Sequence, residues 1–238
     1  MSHKMQLSAQ RTRTVINRTS KRQETSLAKA VGRVGEALAE EFPSLSFGQE
    51  PQWSVSEVIE SLKKTFPDVG FCDCFRTSSM RPDGGVMSIL LGNGDRLPVL
   101  ISEKKNQGTN DIRARQGKKQ QAKGNAIERL GKNVIGFRAA LLRESIFPFV
   151  CFGDGCDFAE DSSIVDRVKT IAMFGTLNEI HLYNEGPGGA FNRGSYFFRV
   201  QEWTEREMFD VSLEIARRSV LYYISKYGLR ARKGAVAT

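Results

Sequence analysis

Two apolar runs that flank an Asn-Gly pair constrain the fold of this chain more than any other feature. The segment VMSILLGNGDRLPVLIS, at 86–102, has Asn93 and Gly94 between its two runs. Both residue types tolerate the positive φ of tight hairpin turns, so the pattern predicts an antiparallel β-hairpin. The second run then leads without a turn into the charged sequence EKK at 103–105. Charges at the end of a core strand are either solvated there or gathered for chemistry.

Apolar periodicity predicts helices that alternate with further strands along the rest of the chain. Helices are expected from Thr25 or Ser26 to about Phe42, from Ser54 or Ser56 to near Pro67, from Asn125 onward, near 163–174 and at about 204–226. Strands are expected at 69–75, 149–152, 178–183 and 195–200, and a long polar loop at 106–124. This alternation predicts one α/β domain around a mixed sheet. We assign the domain to residues 25–230, between a basic, mobile arm at 1–24 and a flexible tail at 231–238.

The composition restricts the class of protein and its compartment. The 238 residues are 40% hydrophobic and 26% charged, which is typical of a soluble globular protein. No apolar stretch reaches the roughly 18 residues of a membrane span, and the basic N-terminus lacks the apolar core of a secretory signal. Cys72, Cys74, Cys151 and Cys156 form no C-x-x-C pair, so we expect free thiols in a cytoplasmic protein.

The positive charge is concentrated in two segments. The chain has a net charge of +8, and residues 1–35 carry eight Lys or Arg against one Glu. Residues 104–132 carry nine Lys or Arg against two acidic residues, so the rest of the chain is net acidic. Two basic segments on an acidic body predict a polyanion such as nucleic acid as the partner. A basic tail and a solvated loop would give the same pattern.

The hairpin brings two carboxylates and a lysine toward one another. Asp83 lies in PDGG, a turn sequence before the first strand, while Glu103 and Lys105 lie two residues apart on the second. Residues two apart on a strand share a face, whereas Lys104 points the other way. Carboxylate oxygens suit Mg²⁺, and Lys105 can orient or deprotonate a water or stabilise charge on a phosphate, as phosphodiester hydrolysis requires. A surface ion pair at a strand end would show the same spacing.

Four longer motifs surround these residues: SSMRPDGG, VLISEKKNQG, KGNAIERLGKN and ESIFPFVCFGDGCDF. In order and approximate spacing they resemble the EcoRI-type restriction endonucleases of the PD-(D/E)xK nuclease superfamily. The resemblance implies a restriction-endonuclease-like fold, with a central mixed five-stranded sheet flanked by helices. It also implies that Asp83 and Glu103 are metal ligands together with the backbone carbonyl of Lys104, and that Lys105 is the catalytic lysine.

The motif GNAIER is suited to reading bases from the start of a helix. Gly124 permits close backbone approach, the Asn125 amide can bond adenine, and Ala126 is small enough to touch a thymine methyl. A capped, solvated helix start also explains these residues, because Asn is a favoured N-cap. The resemblance implies that Asn125, Ala126 and Arg129 read AATT and that Glu128 organises the arginine. The other expected DNA contacts are Gln121, Ala122, Lys123, Lys132, Arg167, Arg113, Arg115, Lys118 and Lys119.

The resemblance implies a homodimeric, Mg²⁺-dependent type II restriction endonuclease that cuts double-stranded DNA, with a separate methyltransferase. Its site would be a palindrome centred on AATT. GAATTC is favoured by the wider motif match and Arg167, and CAATTG comes next because a basic residue, Lys123, precedes GN. The family's second arm is reduced here to eight residues, 158–165. A PD-(D/E)xK nuclease of repair or junction resolution, and a DNA-binding protein without activity, are the alternatives.

Overall fold

The computed structural model of the protein describes residues 15–108, 110–119, 123–159, 163–172 and 176–229. Its helices are α1 (Val15–Glu41), α2 (Val55–Thr65), α3 (Asn110–Arg115), α4 (Lys123–Ala140), α5 (Ser163–Ala172) and α6 (Glu205–Tyr227). Its strands are β1 (Ser46–Glu50), β2 (Trp53–Ser54), β3 (Ser79–Met80), β4 (Val86–Leu90), β5 (Arg96–Gly108), β6 (Phe149–Gly155) and β7 (Ser195–Arg199). Within these ranges no helix has the length and hydrophobicity needed to cross a membrane.

A mixed five-stranded sheet with the order β1-β4-β5-β6-β7 forms the centre of the fold, as the resemblance predicted. The hairpin is confirmed, since β4 and β5 pair antiparallel and Gly94 has a φ of +87° in the turn between them. β5 then pairs parallel with β6, and β6 parallel with β7. A parallel pair needs a long crossover, and the chain between β5 and β6 supplies it with α3 and α4.

The two faces of the sheet pack against different helices. On one face, Val150 and Phe152 of β6 join a cluster with residues of α1 and α6. On the other face, Phe149 and Cys151 of the same strand join a cluster with residues of α4 and α5. Side chains therefore alternate between the two layers along β6, which makes this strand buried on both faces.

Local capping signals define α6, the longest helix after α1. Thr204 is its N-cap and forms a capping box with Glu207, whose carboxylate accepts from the Thr204 amide at 2.9 Å. Gly228 follows the helix with a φ of +60°, the left-handed conformation that glycine adopts without strain. The helix predicted at about 204–226 is therefore confirmed almost to the residue.

Two predicted strands are wrong. Residues 69–75 form no strand. Phe75 there is 84% exposed, so the alternating pattern does not correspond to a buried strand face. Residues 178–183 make only an isolated bridge, between Ile146 and Tyr183. The segment instead lies along β7, where Asn178 has a φ of 65° and its side chain accepts from the Phe198 amide at 2.8 Å.

Three predicted boundaries also change, and β1 and the short β2–β3 pair were not predicted. The helix expected from residue 25 begins at Val15, and Arg22 in the added part forms an ion pair with Glu202 of the β7–α6 connection. The polar segment 106–124 is not all loop, since β5 continues to Gly108 and α3 follows. The helix expected from Asn125 begins at Lys123. Residues 1–14 and 230–238 lie outside the described residues.

Candidate active site

A tight turn holds Asp83 beside the second half of β5. The Gly85 amide donates to the Pro82 carbonyl at 3.0 Å, and Gly85 has a φ of +76°. The Gly84 amide donates to the Ser102 carbonyl at 2.9 Å, which fastens the turn to β5. The approach is so close that a Cβ on Gly84 would overlap the Ser102 hydroxyl. The backbone geometry of the PDGG turn therefore requires glycine at both positions 84 and 85.

The structure brings Asp83, Glu103 and Lys105 together. The Lys105 ammonium forms an ion pair with the Glu103 carboxylate, which confirms that the two side chains share a face. The Lys104 backbone amide donates to the Asp83 carboxylate at 3.0 Å, so the turn and the strand meet at residue 104. Asp83 is exposed to solvent, whereas Glu103 is only 2% exposed. One solvent-exposed carboxylate, Asp83, and one buried carboxylate, Glu103, thus lie near Lys105.

Burial and neighbouring charges shift the protonation equilibria of this group. Burial raises the pKa of Glu103, and the nearby Lys105 charge opposes that increase. Burial lowers the pKa of Lys105, but its carboxylate neighbours, Glu103 first, outweigh burial and the net pKa is raised. Burial also raises the pKa of Cys151, the β6 partner of Glu103, well above its ordinary value. Cys151 is therefore a neutral thiol near neutral pH and is poorly suited to ligate a metal.

Asn133 is a site residue that the sequence reasoning missed. It lies on α4, and its side-chain amide donates to the two Glu103 oxygens at 3.4 and 3.5 Å. In sequence it falls between Leu130 and Phe137, which are buried on the sheet-facing side of the helix. A polar residue within that apolar stripe is the signal that would have identified it.

Lys104 has its own partners on the opposite face of the sheet. Its side chain is fully buried and forms an ion pair with Asp154 of β6, which is 5% exposed. Asp154 also accepts from the Gln23 side chain of α1 at 2.8 Å and from the Trp203 backbone amide at 3.2 Å. Burial lowers the pKa of the Lys104 ammonium, and the Asp154 charge opposes this change. The resemblance implied a role only for the Lys104 backbone carbonyl, so this side-chain network was not predicted from the sequence.

The donor atoms at the end of β5 fit a hard cation that retains water ligands. Asp83 and Glu103 supply carboxylate oxygens, which Mg²⁺ prefers to nitrogen or sulfur. No group of three or more His, Cys, Asp or Glu residues is gathered for a metal within the part of the chain that the structure describes. Two carboxylates with water and substrate oxygens are a common Mg²⁺ arrangement, so the set is sufficient for such an ion.

The structure describes only some of the side chains that were predicted to contact DNA, and these are exposed to different degrees. Lys132 of α4 and Arg167 of α5 have exposed side chains. In and after α3, Arg115 and Lys119 are exposed, Lys118 is partly buried, and Arg113 donates to the Lys119 carbonyl at 2.7 Å. Gln121 and Ala122 lie outside the described residues. So do the side chains of Lys123, Asn125, Ala126, Glu128 and Arg129, while the backbone of 123–129, including Gly124, forms the first turns of α4.

A mixed sheet with a carboxylate turn at one strand and E-x-K on the next is typical of the PD-(D/E)xK restriction-endonuclease fold. Residues 9–169 match the family model described as restriction endonuclease EcoRI. The chain is 29% identical over 240 residues to the type II restriction enzyme RsrI of Cereibacter sphaeroides, covering 87% of this chain and 86% of that one. It is 36% identical over 150 residues to the type II restriction enzyme EcoRI of Escherichia coli, covering 58% of this chain and 54% of that one.

The chain belongs to the EcoRI restriction endonuclease family. It is accordingly a type II restriction endonuclease, a site-specific deoxyribonuclease. The resemblance drawn from the motifs is therefore confirmed, and the alternative of a binding protein without activity is excluded.

Proposed function

We propose that this enzyme cleaves both strands of duplex DNA at a hexameric palindrome centred on AATT, using Mg²⁺ held by Asp83 and Glu103. The observation that carries the proposal is the convergence of both carboxylates and Lys105 at residue 104, through the 3.0 Å hydrogen bond from the Lys104 amide to Asp83. Asp83, Glu103 and the Lys104 carbonyl would hold the metal. Their side chains and backbone come from a glycine turn and a sheet strand, which are rigid supports.

A bound Mg²⁺ supplies a Lewis acid that lowers the pKa of a water ligand and neutralises negative charge on the scissile phosphate. Lys105 contributes a fixed positive charge for the pentavalent phosphate or orients the attacking water. Glu103 holds the Lys105 ammonium in position through their ion pair. Asn133 in turn restricts the Glu103 carboxylate through both of its oxygens. Asp83, which is exposed, is the carboxylate that approaching DNA meets first.

The arrangement of α4 supports a direct connection between base reading and cleavage. The residues proposed to read AATT, Asn125, Ala126 and Arg129, lie in the first turns of the helix that carries Asn133. Asn125 and Asn133 are eight positions apart, a rise of about 12 Å along a helix. One rigid element therefore connects the proposed base readers to the carboxylate of the catalytic strand. Glu128 is proposed to organise Arg129, and Gly124 to allow close approach to the bases.

The remaining proposals concern the oligomeric state, the protection of host DNA, the location and the other DNA contacts. A homodimer suits a palindrome, because each subunit reads one half-site and cuts one strand. A separate methyltransferase would protect host DNA, and four free cysteines support a reducing, cytoplasmic location. GAATTC is favoured over CAATTG. The proposed backbone and outer-base contacts are Arg113, Arg115, Lys118, Lys119, Gln121, Ala122, Lys123, Lys132 and Arg167.

Digestion of a sequenced plasmid with Mg²⁺, followed by mapping of the cut ends, tests both the site and the cofactor. We expect cuts only at an AATT-centred palindrome, and none when a chelator replaces Mg²⁺. Cuts without a common hexamer would contradict the proposed specificity.

Variants Glu103→Ala and Lys105→Ala test the catalytic assignment. We expect both to lose cleavage while they retain specific binding, because both side chains lie away from the start of α4. Glu60→Ala is the matched control, since it removes a glutamate from an exposed Glu–Lys pair on α2. Full cleavage by either active-site variant would refute the assignment.

A further inference from the structure

Lys104 connects the catalytic strand to the opposite layer of the protein. Its backbone amide donates to Asp83 on the catalytic side, and its fully buried side chain pairs with Asp154 on the other side. Asp154 is itself fixed by the Gln23 side chain of α1 and by the backbone amide of Trp203, just before α6. Residue 104 is thus held by its backbone amide on the Asp83 side and by its side chain on the face that packs against α1 and α6.

Regular strand pairing supports residues 103–105 of β5 on one side only, because the pairing with β4 ends at Ile101. Regular pairing with β6 runs from Ile101 to Lys105 and then shifts in register before Gly108. The partner opposite Lys105 is Gly153, which has no side chain, and a Cβ there would lie 2.9 Å from the Phe158 ring. Lys105 is therefore the last residue of the regular ladder, and no side chain lies opposite it on β6. The preceding side chain, that of Lys104, pairs with a buried carboxylate on the opposite face of the sheet.

A buried ion pair is a poor means of stabilising a protein, because the cost of removing two charges from water offsets their attraction. Apolar residues of similar size at 104 and 154 would fill the same interior space beside Phe152 and Trp203. The reason for retaining charges at these two positions is therefore better sought in geometry than in stability.

We propose that the buried Lys104–Asp154 pair fixes the catalytic segment of β5, so that Lys104 is a positioning residue for Asp83, Glu103 and Lys105. The inference rests on the function proposed for those three residues. The pair locks the strand against α1 and the β7–α6 connection through Gln23 and Trp203. Without it, the backbone of residue 104 can shift along or out of the sheet. Such a shift moves the Lys104 amide that holds Asp83 and the neighbouring side chains together.

The double variant Lys104→Met/Asp154→Asn tests the proposal, because it removes both charges and keeps a side-chain oxygen at residue 154 as an acceptor for the Gln23 side chain and the Trp203 amide. We expect only a small decrease in the thermal midpoint and unchanged metal-free binding to a duplex that carries the mapped site. We also expect cleavage at saturating Mg²⁺ to fall about 10-fold to 100-fold, the usual effect of losing a residue that orients metal ligands. Amide hydrogen exchange in the metal-free enzyme should become faster at 102–106 and stay unchanged in α6.

Two further variants separate positioning from stability. Gln23→Met removes only the amide that orients Asp154, and we expect the same faster exchange at 102–106 with a smaller loss of cleavage. Lys226→Met is the matched control, because it removes one of the two cations, Lys226 at 2.8 Å and Arg143 at 3.1 Å, that pair with another buried carboxylate, Glu144. It should lower the thermal midpoint without changing exchange at 102–106 or the Mg²⁺ dependence of cleavage.

Parent-like cleavage and exchange in the double variant would overturn the inference, as would equal changes in Lys226→Met. If the double variant does not fold, Gln23→Met decides by the same exchange measurement. Failure of the proposed function is distinguishable, because it would appear as cleavage by Glu103→Ala whatever the behaviour of the residue 104 variants.

Discussion

Gly84→Ala is expected to slow cleavage through geometry alone, since it removes no functional group. A Cβ at residue 84 would overlap the Ser102 hydroxyl and lie 3.1 and 3.2 Å from Leu27 carbons. Overpacking of this kind costs about 1–3 kcal/mol when the backbone has to shift. The adjoining residue is Asp83, whose carboxylate accepts the Lys104 amide at 3.0 Å. A turn that moves away from β5 carries this carboxylate with it.

The effect on cleavage should exceed the effect on stability. Misplacement of a catalytic group by about 1 Å can reduce a rate by about 100-fold. We therefore expect Gly84→Ala to reduce single-turnover cleavage by about 10-fold to 100-fold. Thermal denaturation should show a loss of about 1–3 kcal/mol in unfolding free energy.

A second substitution makes the prediction specific. Ser102→Ala removes the hydroxyl that the new Cβ would overlap, and this hydroxyl makes no hydrogen bond within the described residues. The double variant Gly84→Ala/Ser102→Ala should recover most of the cleavage rate, because the Leu27 side chain can yield by a few tenths of an ångström. Ser102→Ala alone should be close to the parent in both assays.

Gly32→Ala is the matched control. Gly32 lies within α1, and a Cβ there would have open space among the described residues. Replacing a helix glycine by alanine should stabilise the protein by about 0.5–1 kcal/mol without affecting cleavage. Normal cleavage by Gly84→Ala, or a double variant no better than the single one, would refute the explanation based on overlap.

Two further predictions concern stability and specificity. Arg199 holds the pKa of Glu207 down at about 2 from 4.5, so Glu207 stabilises the fold above pH 4.5 and loses this contribution as pH falls through about 2. The full shift corresponds to about 3 kcal/mol, but the Glu207 side chain is 40% exposed, so we expect Glu207→Gln to cost about 1–2 kcal/mol at pH 7. Denaturation should show this difference shrinking between pH 4.5 and 2, and a constant difference would contradict the linkage. Lys123→Ala, assayed on all four AATT-centred palindromes, should lose about 1–3 kcal/mol of discrimination at the outer base pair only. Unchanged discrimination at that base pair would indicate that Arg167 or backbone groups read it instead of Lys123.

Features set by local backbone chemistry were predicted correctly from the sequence. The hairpin follows from Asn93-Gly94 between two apolar runs, and α6 follows from the apolar periodicity at about 204–226. The shared face of Glu103 and Lys105 follows from the two-residue repeat of any strand. The hairpin then brings the PDGG turn to the end of β5, so the proximity of Asp83 to Glu103 was also predictable.

The tertiary structure decided everything that depends on contacts between distant segments. Residues 69–75 alternate like a strand, but no neighbouring strand pairs with them, and a strand without a partner leaves its backbone groups unsatisfied. The Asn133 contact with Glu103 requires α4 to cross the sheet at one particular place. The Lys104–Asp154 pair joins residues 50 positions apart through the parallel register of β5 and β6. The local sequence of either strand does not specify that register, because it is set by how the crossover helices and both core layers pack together.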